Sequence, residues 1–198
     1  MGFSVSWLAI RGKPLDSVLD ELGLRSTGEF ADVPDSPIVG TLVPTGWFVV
    51  YYNRIIGDGD VKALSAGCEI ITCDIEEHVM YSGAAYWRNC RQIWSVVHQS
   101  VQGLDHLRTV GELPLEFVAI RDKLITESRL TRGTELAADY VFDIPIELAK
   151  AITGFRHDED IEGAEEDPYQ VLERKRQPRR DWNFQSILAV LGWRRSNA

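Results

Sequence analysis

The amino-acid sequence predicts an α+β fold with a central antiparallel (meander) sheet, packed by two to three helices and followed by a charged C-terminal tail segment. Residues 68–98 alternate short β-rich segments with short turns, which is typical of consecutive antiparallel strands. Segments with apolar residues three and four positions apart flank this region, as in amphipathic helices. Beyond Gly154 an acidic run is followed by a basic run, which indicates an appendage to the folded body.

The length and composition of the chain favour one folded domain. Its 198 residues are 44% hydrophobic and 26% charged, values close to those of soluble domains that bury a single core. We therefore predict that residues 1–154 form a single α+β domain. Residues 155–198 are predicted to be an acidic then basic linker with a short C-terminal amphipathic helix, docked on the body or on a partner subunit.

The first part of the chain predicts a strand, a helix and a long connection. Residues 3–10 alternate between two faces and predict the first strand, and residues 15–22 carry apolar side chains at helical spacing before Gly23 ends the pattern. Three prolines interrupt residues 25–45, so we expect a largely irregular connection with at most one edge strand. Residues 47–52 are a run of β-formers and predict a buried strand.

The middle and last parts of the chain predict the meander and two longer helices. A strand is expected at 68–75, and further β-rich segments follow at residues 78–81, 84–88, 91–98 and 107–110. Proline near the start and apolar residues on one side predict helices at residues 113–129 and 145–153.

Charge and cysteine content exclude several functional classes. The formal net charge of −9 disfavours binding to phosphate backbones, so no nucleic-acid partner is expected. Three cysteines are too few for a disulfide framework, which favours a reducing compartment. The sequence contains no apolar stretch of about 18 residues and no secretory signal pattern. We therefore expect a cytoplasmic protein with no membrane contact.

A cluster of ionisable residues at the end of a predicted strand is the candidate for catalysis. Cys73, Glu77 and His78 could supply a nucleophile and a base if the fold brings them within hydrogen-bond reach. The alternative interpretation is a charged turn and a buried thiol. The ligand spacings of metal sites, the nucleophile elbow and the Gly-rich phosphate loop do not occur in the sequence, so no metal or cofactor is expected.

Aromatic residues on the predicted strands and acidic residues of the tail are the candidates for binding. Alternation along a strand directs some rings to the outer face of the sheet, where Tyr and Trp are typical of protein interfaces. The binding candidates are Trp47, Tyr52, Tyr86, Trp87, Trp94, Glu159 and Asp160. The alternative is that the two longer helices cover one face and the remaining segments cover the other, which would bury the rings.

Together these features favour a non-catalytic protein-binding module that neutralises a basic protein partner. In size and acidity the chain is similar to bacterial immunity and antitoxin proteins, which cover a basic active site. The alternative is a small hydrolase or ligand-binding enzyme that uses His78, Glu77 and Cys73. The apolar residues within 182–193 need a surface on which to be buried, within the chain or across a homodimer, and both options stay open.

Overall fold

The protein is organised around one antiparallel sheet, and the computed structural model describes residues 2–56, 60–131, 133–134, 138–164 and 166–175. The strands of these residues are β1 (Ser4–Arg11), β2 (Leu24–Ala31), β3 (Ile38–Leu42), β4 (Phe48–Tyr52), β5 (Glu69–Glu76), β6 (Tyr81–Arg88), β7 (Arg91–Gln99), β8 (Arg108–Gly111) and β9 (Tyr169–Arg174). Their α-helices are α1 (Leu15–Glu21), α2 (Val61–Leu64), α3 (Glu116–Thr131) and α4 (Asp143–Thr153). None of these helices has both the length and the apolar character needed to cross a bilayer.

The strands join in the order β2-β9-β3-β4-β1-β5-β6-β7-β8, and each neighbouring pair is antiparallel. β1 lies at the centre and pairs with β4 on one side and β5 on the other. β5, β6, β7 and β8 are neighbours in chain order, as the predicted meander requires. The predicted α+β class with an antiparallel sheet is therefore confirmed.

The central strand separates two apolar layers. Its side chains alternate, so Val5 and Trp7 lie on one face of the sheet and Leu8 and Ile10 on the other. α3 and α4 pack on the first face, called here the α3/α4 face, whereas α1 and α2 pack on part of the second, the α1/α2 face. Because both faces of β4 are buried, one in each apolar layer, it is a continuous run of large apolar and aromatic residues without alternation.

The prediction for the connection between α1 and β4 is wrong. Residues 25–45 contribute most of an outer strand, β2, and all of an interior strand, β3. β2 is largely exposed and its pairing with β9 shifts register between Ser26 and Phe30, so it lacks the alternation of a half-buried strand. β3 has five residues and is too short to show a period in the sequence.

A second difference lies after Gly154, where the sequence predicts an appendage. β9 is inserted between β2 and β3, and Phe155, Tyr169 and Leu172 are buried. The described residues from 155 onwards therefore continue the sheet and core of residues 1–154. Charged residues separate these apolar positions too widely for a periodic signal. The predicted C-terminal helix and the apolar residues of 182–193 lie outside the described residues.

The contribution of β9 to the core can be measured with Leu172→Ala. Leu172 is 3% exposed, and removing a leucine side chain from a core costs about 2–5 kcal/mol in unfolding free energy. Leu42→Ala is the matched control, because Leu42 also lies in a strand of this sheet but is 70% exposed. Urea unfolding should show the large loss for Leu172→Ala and a change within about 0.5 kcal/mol for Leu42→Ala. A loss within about 0.5 kcal/mol for Leu172→Ala as well would show that burial of this β9 side chain does not stabilise the fold.

Candidate functional site

The structure does not bring the three candidate catalytic residues together. Cys73 is buried on the α3/α4 face, and burial raises the pKa of its thiol well above the usual value. His78 is exposed, and its Nδ1 lies 2.7 Å from Oε1 of Glu76, which is three residues from Cys73 and so on the opposite side of β5. Glu77 accepts a hydrogen bond from the backbone N–H of Phe3 at 2.8 Å. Cys73 therefore has neither His78 nor Glu77 beside it as a base, and the three residues do not form a catalytic pair.

A buried histidine elsewhere is also used structurally. His98 Nδ1 lies 2.8 Å from the carbonyl oxygen of His106, and Nε2 lies 3.1 Å from Oδ2 of Asp139. Both partners are acceptors, so this arrangement favours the charged imidazole, which donates from both nitrogens. Ser82 lies opposite His98 in the sheet but donates to the carbonyl of Phe142 at 2.6 Å. The group is therefore an ion pair that ties β7 to the segment before α4, and no nucleophile is activated.

The aromatic row expected on the sheet surface is not formed by three of its candidates. Trp47 and Trp94 are buried in the core on the α3/α4 face, and Tyr52 is buried in the core on the α1/α2 face. Tyr86 and Trp87 are partly buried, and the Tyr86 hydroxyl donates to Oε1 of Glu69 at 2.6 Å. The reason is that an apolar layer lies on each face of the central strands, which a strand pattern alone does not reveal.

Trp87 borders a groove of 420 Å³ on the part of the α1/α2 face formed by β5 to β8. Small side chains such as Ala85 and Ser95 line this groove together with polar ones. The charged residues that line it are of both signs, namely Lys62, Asp74 and Arg108. The groove therefore has no preference for a ligand charge.

A second concave site has a single sign of charge. This acidic cleft has a volume of 530 Å³ and lies between the loop that follows β2 and the segment that joins α4 to β9. Among the described residues, no Lys or Arg lines it. Seven carboxylate side chains line it, those of Asp32, Asp35, Asp158, Glu159, Asp160, Glu166 and Asp167.

Apolar packing and ion pairs fix the α4 to β9 segment in place. The ring of Phe155 packs edge-on against Trp7 on the α3/α4 face, with centroids 5.3 Å apart. Next to it, the Arg156 guanidinium donates to Asp143 at 3.0 Å, and also to Glu147. Both carboxylates belong to α4, so Arg156 holds the start of the acidic run against that helix. The burial and these ion pairs position the side chains that follow.

Charge in the acidic cleft is only partly neutralised by the protein. Burial acts to raise the pKa of Asp158, but the hydrogen bond from Arg156 at 2.6 Å and the positive charge of Arg156 outweigh it and lower the pKa of this carboxyl below its usual value. Glu159 accepts from Lys150 at 2.8 Å. The remaining five make no ion pair with a residue that the structure describes, namely Asp32, Asp35, Asp160, Glu166 and Asp167. Among the residues that the structure describes, the cleft therefore retains an excess of negative charge.

Aromatic side chains also line the acidic cleft. Tyr51 and Tyr169 are buried in the sheet beneath it, and Phe3 lies at its border. Burial, followed by the neighbouring Tyr169, Asp158 and Asp35, raises the pKa of Tyr51 to about 12. The cleft thus opposes a further negative charge.

His157 is the remaining ionisable residue of the acidic cleft. Burial lowers the pKa of its imidazole, against the opposing effect of Asp158, so the ring is neutral near pH 7. Its plane is almost perpendicular to the Phe3 ring, with centroids 4.8 Å apart. In the described part of the chain, no group of three or more His, Cys, Asp or Glu side chains converges as metal ligands would.

The sequence indicated part of this site. Glu159 and Asp160 belong to the acidic run that was a binding candidate, and the structure places both at the cleft. Asp32, Asp35 and Tyr51 were missed because they are distant in the chain and meet the acidic run only through the pairing of β9 with β2 and β3. The sequence could have indicated these residues only through the expectation that a strand follows the acidic run and pairs in the sheet.

Comparisons with protein-family models, with curated proteins and with solved structures found no match. The class of this protein is therefore defined by its own structure, which is an α+β domain with an acidic cleft at one end of an antiparallel sheet.

The ion pair of His98 predicts a specific pH dependence. Burial lowers the pKa of His98, but the hydrogen bonds to Asp139 and to the His106 carbonyl, with the Asp139 charge, outweigh it and raise the pKa above the usual value. The stabilisation is therefore complete below about pH 6.5, the unfolded value, and is lost as the pH rises through the folded pKa. NMR titration of the His98 ring should give a midpoint above about 6.5, and Asp139→Asn should lower it. A midpoint that Asp139→Asn leaves unchanged would contradict the ion pair.

Proposed function

We propose that this protein is a non-catalytic binding module that recognises a positively charged segment of another protein through the acidic cleft. The observation that carries the proposal is the lining of one cleft by seven carboxylates without a Lys or Arg among the described lining residues. A cavity of 530 Å³ is large enough to receive side chains of a partner. Cationic side chains would relieve the mutual repulsion of the carboxylates.

Charge complementarity of this kind contributes more to the specificity and the association rate of a complex than to its affinity. A cleft lined by one sign of charge concentrates its field and attracts partners of opposite sign, which raises the association rate. Five of the seven carboxylates have no ion pair within the described protein, so binding a cation does not first require breaking an internal salt bridge at those five. Glu159 and Asp160 remain binding residues in this proposal, whereas Trp47, Tyr52 and Trp94 do not.

The biological role that suits such a cleft is neutralisation of a basic partner, as in immunity or antitoxin proteins. A partner of this kind has a positively charged functional surface that a negatively charged protein can cover. We also propose a cytoplasmic location, which is supported by the three free thiols of Cys68, Cys73 and Cys90.

Neutralising one carboxylate on each side of the cleft should weaken binding of a basic probe. The double variant Asp35→Asn with Asp160→Asn removes two charges, each worth about 0.3–1 kcal/mol at an exposed site, so the dissociation constant for decalysine should rise roughly three- to thirtyfold. Isothermal titration calorimetry at about 50 mM salt measures the change, and higher salt should reduce it.

The control is the double variant Asp16→Asn with Glu116→Gln, which removes the same charge from exposed positions in the first turns of α1 and α3. It should change the dissociation constant by less than about twofold, because these groups lie outside the cleft and are screened. If both double variants weaken the binding of decalysine equally, the net charge of the protein rather than the cleft attracts the probe, and the proposal is wrong.

A further inference from the structure

His157 is a buried polar side chain that makes no hydrogen bond through its ring within the described part of the chain. It is 7% exposed, and neither ring nitrogen has a hydrogen-bond partner among the residues that the structure describes. Leaving a buried polar group unpaired costs about 1–3 kcal/mol, so native proteins rarely keep one without a role. Since His157 lines the acidic cleft, a bound ligand is in position to supply the missing partner.

The surroundings of His157 favour an acceptor nitrogen towards a ligand. Its Nδ1 lies 3.5 Å from Oδ1 of Asp158, so the negative oxygen favours the proton on Nδ1. The neutral ring then has its lone pair on Nε2. A ligand that pairs with Nε2 must donate a hydrogen bond, as a cationic side chain does.

Phe3 is an aromatic neighbour of this imidazole. The ring of Phe3 packs against the imidazole, but Phe3 is 39% exposed and lies at the border of the cleft. Phe3, Tyr51 and Tyr169 line the cleft together with His157, so aromatic side chains stand beside the carboxylates.

A guanidinium group fits a site made of a ring-nitrogen acceptor, aromatic rings and carboxylates better than an ammonium group does. It is planar, weakly hydrated and stacks on aromatic rings, and its five donors can reach a ring nitrogen and carboxylates at the same time. An ammonium group is compact and strongly hydrated, and it loses more hydration on entering an aromatic site.

We infer that the acidic cleft selects an arginine side chain of the basic partner, with Nε2 of His157 as hydrogen-bond acceptor and the unpaired carboxylates, such as Asp35 and Asp160, as counter-charges. This inference rests on the proposed function and names the residue type that the cleft recognises. The neutral imidazole supplies selectivity among cations, and the carboxylates supply attraction.

NMR titration with three short peptides tests the selectivity. Each peptide has capped ends and glycines around one central residue, which is arginine, lysine or the uncharged arginine analogue citrulline. The arginine peptide should bind at least about fivefold more tightly than the lysine peptide, as expected for one added hydrogen bond to a charged group. Citrulline has the shape without the charge and should bind weakest. Equal binding of the arginine and lysine peptides overturns the inference.

Substitution of His157 assigns the selectivity to its ring nitrogen. His157→Phe keeps a ring against Phe3 but has no acceptor, so the arginine preference should disappear. His157→Gln retains a hydrogen-bond acceptor, so this variant should keep part of the arginine preference. His78→Phe makes the same change outside the residues that line the cleft and should leave the preference intact. A full preference in a folded His157→Phe variant overturns the inference.

The two proposals fail in distinguishable ways. If the arginine preference is absent while decalysine still depends on Asp35 and Asp160, the acidic cleft binds basic partners without selecting arginine. If the acidic double variant binds decalysine as the unmodified protein does, the proposed function itself is wrong.

Discussion

Pairing of β9 with both β2 and β3 is the constraint on which the acidic cleft depends. The pairing brings Glu166 and Asp167, which lie three and two residues before β9, to the same cleft as Asp32 and Asp35 from the loop after β2. Like charges repel by about 1 kcal/mol at 4 Å in water. Burying a leucine side chain, as β9 does with Leu172, contributes about 1.5–3 kcal/mol. Burial and sheet pairing can therefore hold the carboxylates together despite their repulsion.

Residues of the acidic run have two different functions in the structure. Asp158 and Glu159 pair with Arg156 and Lys150 and so fasten the segment to α4. Asp160 has no such partner among the described residues and faces the cleft with the unpaired carboxylates. A cluster of acidic residues thus contains both structural ion pairs and free charge, and this division is set by neighbours that are close in space.

More of the fold than of the site could be predicted from the sequence. The period-two pattern of β1 and the spacing of α1 depend on local residues, so the sequence predicts them well. β3 and β9 carry too few periodic residues, and their places in the sheet depend on long-range pairing. The same limit applies to Trp47 and Tyr52, whose burial depends on the packing of the two apolar layers. His157 shows no sequence signal, because lack of a hydrogen-bond partner is a property of the folded state.

The two outer strands of the sheet protect it against polymerisation. A strand at the border of a sheet exposes unpaired amides and carbonyls, which recruit further chains into fibrils. β8 is only four residues long, and β2 is interrupted by the register shift between Ser26 and Phe30. Both features disturb the regular ladder that an incoming strand would need. In the part of the chain that the structure describes, both ends of the nine-stranded sheet thus carry a feature that opposes edge-to-edge aggregation.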